Sequence, residues 1–201
     1  MAKRLFDLLL AAIGLLLLLP LGLVLALLVR LDSPGPVFFR QERVGRFGRI
    51  FRIHKFRSMQ VDAPNVGPAV TVGIDPRITR LGHHLRHSRI DELPQLIDVL
   101  LGHMSLVGPR PEVPRFVAHY PEPWRSQVLA VRPGITDPAS LEHLDEATLL
   151  ADAPDPEARY INEVLPHKVR VQAEYAQRAT LWTDIQVMVR TVGMLLSRRR
   201  G

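Results

Sequence analysis

Two adjacent carboxylates, Asp91 and Glu92, are the residues of this sequence best suited to chemistry, because basic groups precede and follow them. These groups are Lys55-Phe56-Arg57, Arg86 and Pro109-Arg110-Pro111. A diphosphate needs positive charge to bind, arginine forks to fix its oxygens and a carboxylate to hold a divalent cation. Adjacent carboxylates can divide the work, since one can attack phosphorus while the other ligates Mg²⁺. The pattern therefore predicts a site for a phosphorylated ligand.

Each member of this candidate site also has a purely structural interpretation. An isolated aspartate before an apolar helix is more often a helix cap than a catalyst, and a first-turn glutamate is commonly solvated. Arg110 could simply belong to a rigid turn, although its two flanking prolines would also hold its backbone ready for binding. Residue types alone leave these alternatives open.

An amphipathic helix is predicted to carry the acidic pair. Its apolar positions recur at helical spacing, at Ile90, Leu93, Leu96, Ile97, Leu100 and Leu101. With Asp91 as the N-cap, Pro94 becomes the third helical residue, where its missing N–H has no intrahelical partner. A second helix is predicted over residues 78–87, after a loop over residues 62–76 that is rich in proline and glycine.

A β-hairpin is predicted to carry Lys55. Residues 37–41 and 49–56 are two short β-prone runs, and Gly45 and Gly48 separate them. The predicted fold class is therefore α+β, mainly α, with one small hairpin and amphipathic interfacial helices around a compact catalytic core.

The N-terminal segment is long and apolar enough for a membrane. Residues 8–29 are 22 consecutive uncharged residues, enough helix to cross a bilayer core of about 30 Å. Lys3 and Arg4 precede this run and Arg30 begins a basic stretch after it, so both ends resemble cytoplasmic flanks. A helix that enters the bilayer, breaks near Pro20 and returns to the same face satisfies both observations. A kinked single-pass anchor is the alternative, and a cleaved signal peptide is not favoured.

Composition limits the remaining possibilities. The 201 residues provide material for about one compact core, and the absence of cysteine excludes disulfides and thiolate metal sites. Residues 1–90 hold 14 Lys/Arg against 5 Asp/Glu, whereas residues 91–201 hold 12 against 15. The basic half adjoins the apolar segment and therefore indicates anionic partners, namely lipid headgroups, phosphorylated ligands or nucleic acid.

A further amphipathic helix is predicted near the C-terminus. Its apolar stripe consists of Leu181, Ile185, Met188, Val189, Val192, Leu195 and Leu196, and Arg198-Arg199-Arg200 follow it. Such a helix could lie on a membrane with its arginines at the level of the lipid phosphates. A core helix with a solvated tail is the alternative.

Five short motifs occur in the order that is found in the bacterial sugar transferases. They are Lys55-Phe56-Arg57-Ser58-Met59, Asp75-Pro76-Arg77-Ile78-Thr79, Asp91-Glu92-Leu93-Pro94-Gln95, Met104-Ser105-Leu106-Val107-Gly108-Pro109-Arg110-Pro111 and Arg132-Pro133-Gly134-Ile135-Thr136. From about Lys3 to Thr136 the chain resembles the monotopic polyprenyl-phosphate phosphoglycosyl transferase family, and it is similar to the minimal catalytic unit of that family.

The resemblance implies a two-step reaction that uses Mg²⁺. In the family, the aspartate matching Asp91 attacks the β-phosphorus of a UDP-sugar and releases UMP, and a polyprenyl phosphate such as undecaprenyl phosphate then accepts the phosphosugar. The glutamate matching Glu92 is the Mg²⁺ ligand. Substrate contacts are implied for Lys55, Arg57, Arg86, Arg110 and, more distantly, Asp184. The family's membrane element is a re-entrant helix broken at a proline, which Pro20 matches.

The resemblance also implies how the protein is organised and where it works. Residues 1–31 are expected to form the re-entrant membrane helix, and residues 32–201 a single catalytic domain on the cytoplasmic face of the bacterial inner membrane. The expected partners are a UDP-sugar, a polyprenyl phosphate and the lipid bilayer, without nucleic acid. The sugar and the oligomeric state are not predicted. A non-catalytic membrane scaffold and a membrane-tethered nucleic-acid binder are the competing hypotheses.

Overall fold

The structure is a computed structural model that describes residues 1–63, 66, 75–142, 150 and 153–197. The α-helices of this part of the chain are α1 (Ala2–Asp32), α2 (Arg80–His87), α3 (Gln95–Leu100), α4 (Pro114–Val117), α5 (Trp124–Leu129), α6 (Pro156–Arg159), α7 (Leu165–Arg178) and α8 (Leu181–Ser197). The strands are β1 (Phe38–Val44), β2 (Ile50–Phe56), β3 (Ser105–Val107) and β4 (Gly134–Thr136). Helices predominate over two small two-stranded sheets, which confirms the predicted α+β, mainly α class.

Strands β1 and β2 form the predicted hairpin, paired antiparallel over their whole length. β1 was predicted to end at Gln41 but continues to Val44. The longer strand is stabilised at its end, because the Val44 N–H donates to the carbonyl of Glu112 at 2.9 Å. The hairpin therefore reaches the segment that follows the Pro109-Arg110-Pro111 turn.

Strands β3 and β4 pair in parallel, and their backbones approach very closely where β3 ends. A Cβ atom on Gly134 would lie 2.1 Å from the backbone nitrogen of Gly108. Only glycine fits there, because no real Cβ contact is that short. The close approach holds the start of the Pro109-Arg110-Pro111 turn against β4.

A core cluster links the segments that carry the candidate site. Its buried members include Ile53 in β2, Val99 in α3 and Val107 in β3. Lys55 lies farther along β2, the acidic pair precedes α3, and Arg110 follows β3. Burying a large apolar side chain contributes roughly 1.5–3 kcal/mol, so packing fixes these three segments against one another.

Helix α2 confirms the helix predicted over residues 78–87, with a start two residues later. Thr79 is its N-cap, and the Thr79 hydroxyl accepts a hydrogen bond of 3.0 Å from the Gly82 N–H. Most of the loop predicted over residues 62–76 lies outside the described residues.

Helix α8 confirms the amphipathic helix predicted near the C-terminus. Its Trp182, Val189 and Val192 side chains are exposed, whereas Val187 on another face is buried. The predicted basic end, Arg198-Arg199-Arg200, lies outside the described residues. The exposed apolar face fits the interfacial alternative better than the core-helix alternative.

Helix α1 is the N-terminal apolar segment. It runs from Ala2 to Asp32 as one α-helix with Pro20 inside it, and most of its leucines are exposed. Among the described residues, α1 is the one helix whose length and composition would allow it to cross a membrane. The helix continues through Pro20. The structure therefore does not confirm the break that was predicted there, and the break stays a prediction.

The N-terminal end of α1 is bonded to the rest of the fold. Lys3 donates to the carbonyl of Val107 at 3.1 Å and forms an ion pair with Asp184. Asp7 is buried and accepts a hydrogen bond of 2.8 Å from the hydroxyl of Ser105. These contacts join the start of α1 to β3 and α8.

The C-terminal end of α1 is bonded to the same folded unit through Arg57. The buried Arg57 guanidinium donates to the carbonyls of Val29 at 3.1 Å and of Ser33 at 2.6 Å, and also to that of Pro34. Carbonyls at a helix end have no intrahelical donor, so Arg57 supplies one. Both ends of α1 are therefore attached to one domain.

Arg57→Ala is expected to lower the free energy of unfolding by about 3 kcal/mol, because several partly buried carbonyls lose their donor. Thermal unfolding of the purified protein in detergent measures this loss. The matched control is Arg52→Ala on the exposed face of the hairpin, which should change stability by less than about 0.5 kcal/mol. Unchanged stability together with weaker binding of a phosphorylated ligand would instead make Arg57 a ligand contact.

Candidate active site

The acidic pair lies in a tight turn between α2 and α3. Arg89 adopts a left-handed conformation with φ of 57°, and Ile90–Glu92 then form a 3₁₀ turn. Helix α3 begins at Gln95, with Pro94 in the N-cap position. The prediction that Asp91 is the N-cap is therefore wrong. The 3₁₀ turn precedes the helix, and Pro94, which has no N–H to donate, stands directly before the first helical turn.

Glu92 is surrounded by basic side chains. Its Oε1 lies 2.8 Å from the Nζ of Lys55, and the Arg110 guanidinium binds both carboxylate oxygens, reaching Oε2 at 3.4 Å. The guanidinium of Arg89 lies 3.8 Å from Oε2. Burial alone would raise the pKa of Glu92, but Arg110 and Lys55 outweigh it and hold that pKa well below its ordinary value. Glu92 is therefore an ionised carboxylate at neutral pH.

Asp91 has a different environment from Glu92, although both residues are only 7% exposed. Burial raises the pKa of Asp91; Lys55 opposes that rise and the charge of Glu92 adds to it. No hydrogen bond or ion pair within the described ranges engages the Asp91 carboxylate. Asp91 is thus a buried carboxylate whose oxygens remain available, which is what a nucleophile at phosphorus requires.

Four basic side chains act on the two carboxylates, so positive charge exceeds negative charge in this part of the site. They are Lys55, Arg86, Arg89 and Arg110. Of these, Arg86 acts on Asp91 and also on Asp75. The excess of positive charge suits a ligand with two or more phosphate charges.

The site fits a magnesium ion that also binds substrate oxygens. The described residues hold no group of three or more His, Asp or Glu side chains that could cage a metal without help. Magnesium in phosphate-transfer sites commonly needs only one or two carboxylates, because substrate phosphates complete its shell. Within the part of the chain that the structure describes, Glu92 Oε2 has only the longer contacts to Arg110 and Arg89, and it therefore retains acceptor capacity. Asp91 adds a second carboxylate beside it.

The structure brings Asp91, Glu92, Lys55, Arg86 and Arg110 together, as the sequence predicts. It does not bring Arg57 or Asp184 to them. Arg57 is committed to the end of α1, as described above. Asp184 is buried and accepts hydrogen bonds from Lys3 and from the hydroxyl of Tyr175, so it ties α1 to α7 and α8. Both residues have structural roles here.

Two features of the site were not predicted from the sequence, namely Arg89 and a buried polar network behind Arg110. In that network, Glu112 accepts a hydrogen bond of 2.7 Å from Tyr160 and lies 3.4 Å from Arg43 and 3.5 Å from Lys168. Arg43 also donates to the carbonyl of Pro111 at 3.1 Å. The network therefore holds the turn that presents Arg110. Its one sequence signal was the position of Glu112 directly after the Pro-Arg-Pro turn.

The chain matches a known protein family along nearly its whole length. The model of the bacterial sugar transferase family matches residues 1–198. The chain is 40% identical over 197 residues to the UDP-N-acetylgalactosamine-undecaprenyl-phosphate N-acetylgalactosaminephosphotransferase of Aeromonas hydrophila, covering 97% of this chain and 44% of that relative. It is 38% identical over 208 residues to the UDP-glucose:undecaprenyl-phosphate glucose-1-phosphate transferase of Caulobacter vibrioides, covering 97% and 70%.

A third relative extends the comparison to polysaccharide production. The chain is 49% identical over 148 residues to the exopolysaccharide production protein PSS of Rhizobium leguminosarum, covering 71% of this chain and 74% of that protein. The chain spans less than half the length of the Aeromonas relative. The family match nevertheless covers nearly the whole chain and confirms the resemblance carried by the five motifs. This chain belongs to the bacterial sugar transferase family.

Proposed function

We propose that this protein transfers a phosphosugar from a UDP-sugar to a polyprenyl phosphate, giving UMP and a polyprenyl-diphosphate-sugar for glycoconjugate assembly. The observation that carries the proposal is the contrast within the acidic pair. Glu92 is ionised and held by Arg110 and Lys55, whereas no hydrogen bond or ion pair among the described residues engages the buried carboxylate of Asp91. The names of the relatives support undecaprenyl phosphate as the acceptor.

In the proposed first half-reaction, an oxygen of Asp91 attacks the β-phosphorus of the donor. A bond forms between that oxygen and phosphorus, the bond from the β-phosphorus to the bridging oxygen breaks, and UMP leaves with that oxygen. In the second half-reaction, a phosphate oxygen of the acceptor attacks the same phosphorus and releases the Asp91 carboxylate. Each displacement transfers the phosphosugar, and the enzyme ends unchanged.

The basic residues have a separate task in this scheme. Lys55, Arg86, Arg89 and Arg110 offset the charge of the diphosphate and hold its oxygens, which lets an anionic carboxylate approach an anionic phosphate. Glu92, with Asp91 beside it, would hold Mg²⁺, which supplies further neutralisation of the phosphate oxygens when bound. Glu92 also holds the Arg110 guanidinium in place, and their pairing raises the pKa of Arg110 further above its ordinary value.

The test of this function is release of UMP by the purified protein. With Mg²⁺ and undecaprenyl phosphate, at least one of UDP-glucose, UDP-galactose, UDP-N-acetylglucosamine and UDP-N-acetylgalactosamine is expected to yield UMP. The relatives use donors with different sugars, so the panel also identifies the donor. Membrane binding without UMP release from any donor would favour the scaffold hypothesis instead.

The rate of UMP release is expected to fall as the pH drops through the raised pKa of Asp91, because only the ionised carboxylate attacks. Lys55 lowers that pKa, so Lys55→Met should move the acid limb of the pH profile to higher pH, besides reducing the rate. The measurement is kcat/KM for the donor between about pH 5 and 8. Arg49→Met, an exposed change in the hairpin turn, is the control. An acid limb that stays in place or moves to lower pH contradicts this account.

We also propose that α1 is a re-entrant membrane helix over residues 1–31, with the remaining residues on the cytoplasmic face of the inner membrane. A helix that crosses a bilayer places its ends on opposite sides. The two ends of α1 are bonded to one domain through Lys3 and Arg57, which supports their lying on the same side. Pro20 is where we expect the helix to bend within lipid.

The absence of cysteine makes this topology simple to test. Ala2→Cys and Ser33→Cys introduce single thiols at the two ends of α1, and Ile50→Cys marks the exposed hairpin. All three thiols are expected to react with a membrane-impermeant maleimide only after cells are permeabilised. Labelling of the Ala2 position in intact cells, with the other two protected, would indicate a single-pass helix.

A further inference from the structure

A cavity of about 170 Å³ is lined by Glu92, the neighbour of Asp91 in the acidic pair. One part of its wall is charged and consists of Arg89, Glu92 and Arg110, which form a single cluster because both arginines contact Glu92. Much of the remaining wall is apolar. The cavity therefore places a charged cluster with two arginines next to an apolar recess.

The apolar part of the wall comes from α3, α8 and the strand between them in space. Leu93 and Leu96 contribute from the α3 region, Ile135 from β4, and Met194 and Leu195 from α8. A hydrogen bond of 2.8 Å between two threonine hydroxyls ties β4 to α8 along this wall. Little polar surface faces the recess, so a ligand there gains mainly from removing apolar surface from water.

The size and the apolar lining of the recess indicate which of the two substrates it can bind. An apolar cavity of about 150 Å³ stays dry and accepts a molecule of the size of benzene. The observed recess therefore suits a hydrocarbon group of about five or six carbons. A nucleoside or a hexose is larger and carries hydroxyl groups that would lose their hydrogen bonds there.

The recess also adjoins the membrane helix. A Cβ atom on Gly14, in the apolar part of α1, would lie 3.3 Å from the Cδ1 of Leu96. Leu96 thus contacts α1 and lines the recess. On the other side, α8 carries the exposed apolar residues Val189 and Val192. A hydrocarbon chain leaving the recess would meet apolar surface.

We infer that this recess binds the first isoprene unit of the acceptor and thereby places the acceptor phosphate at Arg89 and Arg110. The inference rests on the proposed function, which supplies the acceptor. The recess then fixes the acceptor by its first five carbons, and the rest of the polyprenyl chain lies along apolar surface. Filling the recess should therefore weaken the binding of the acceptor and leave the binding of the donor unchanged.

Met194→Trp tests this by filling the recess with an indole ring. Farnesyl phosphate, which has three isoprene units and is soluble, serves as the acceptor, so that partition into lipid does not obscure the result. The variant is expected to raise the KM for farnesyl phosphate at least about tenfold and to leave the KM for the UDP-sugar within about twofold. Ile50→Trp adds the same ring on the exposed hairpin, away from the recess and from α8, and should change neither KM.

Met194→Ala is the second variant, and it guards against misfolding caused by the larger ring. It removes apolar contacts and should raise the KM for farnesyl phosphate about three- to tenfold, with the thermal unfolding of both variants measured in parallel. A raised KM for the donor alone would assign the recess to the UDP-sugar. Unchanged KM values for both substrates in folded variants would show that the recess is empty during turnover. Either result overturns the inference.

A binding measurement separates this inference from the proposed function. Calorimetric titration of farnesyl phosphate into the wild-type protein in detergent needs no turnover. One outcome is that the wild type releases no UMP from any donor but binds farnesyl phosphate, while Met194→Trp does not bind it. That result would contradict the proposed function and support binding of the acceptor in the recess. If UMP is released and both proteins bind farnesyl phosphate equally, the recess fails while the function stands.

Discussion

Asp91→Asn is expected to reduce UMP release at least about a thousandfold, because an amide oxygen is a poor nucleophile toward phosphorus. The assay follows UMP at saturating donor and acceptor, with and without Mg²⁺. Asn has nearly the shape of Asp, so binding of the donor should persist. The loss should therefore appear in kcat more than in KM.

The stability of the same variant separates a catalytic role from a structural one. Asp91 has a raised pKa caused by burial, so its charged form costs stability at neutral pH. Asp91→Asn removes that charge and should unfold at the same temperature as the wild type or at a higher one. A clear drop in unfolding temperature would make Asp91 a structural residue, and full turnover by the Asn variant would exclude the covalent route.

Glu92→Gln is expected to reduce turnover about a hundredfold or more and to lower the free energy of unfolding by about 3 kcal/mol. The change leaves Lys55, Arg89 and Arg110 facing one another without the anion that they share. It also weakens the proposed Mg²⁺ ligand, so the Mg²⁺ concentration for half-maximal rate should rise. Thermal unfolding and a Mg²⁺ titration measure the two effects.

The pH dependence of this stability difference has a definite sign. The pKa of Glu92 is lowered in the folded state, so its stabilisation is present above the unfolded pKa of about 4.3 and is lost as the pH falls through the folded value. The gap between wild type and Glu92→Gln should therefore be constant near neutral pH and narrow only in acid. Glu42→Gln is the control, because Glu42 pairs with Arg52 at 3.6 Å on an exposed face and should contribute less than about 1 kcal/mol. Equal losses from the two glutamates would contradict the account.

Local sequence patterns predicted the elements well and the partners of individual side chains poorly. The hairpin, α2 and α8 follow from alternation, spacing and turn residues, which act over a few positions. Lys55 and Arg57 are two residues apart, so a continuing strand would place them on one face. The strand ends at Phe56, and Arg57 turns instead to the end of α1. This contact depends on the position of the C-terminal end of α1, because the carbonyls that Arg57 binds lie 23 to 28 residues earlier in the chain.

The acidic pair shows the same division. The adjacency of the two carboxylates and the nearby basic motifs identified the site. The local sequence did not indicate that the two carboxylates would have different partners and opposite pKa shifts. Glu92 is neutralised by Lys55 and by Arg110, which come from β2 and from the turn after β3. The buried network of Glu112 and Lys168 joins residues 56 positions apart. Such pairings follow from tertiary packing, which no periodic pattern encodes.

The most direct test of the central claim is the intact mass of the protein after incubation with the donor and Mg²⁺ in the absence of acceptor. We predict an added mass equal to one phosphosugar, located by peptide mapping on Asp91, removed by adding undecaprenyl phosphate and absent from Asp91→Asn. Turnover without any such adduct, or an adduct on another residue, would contradict the account.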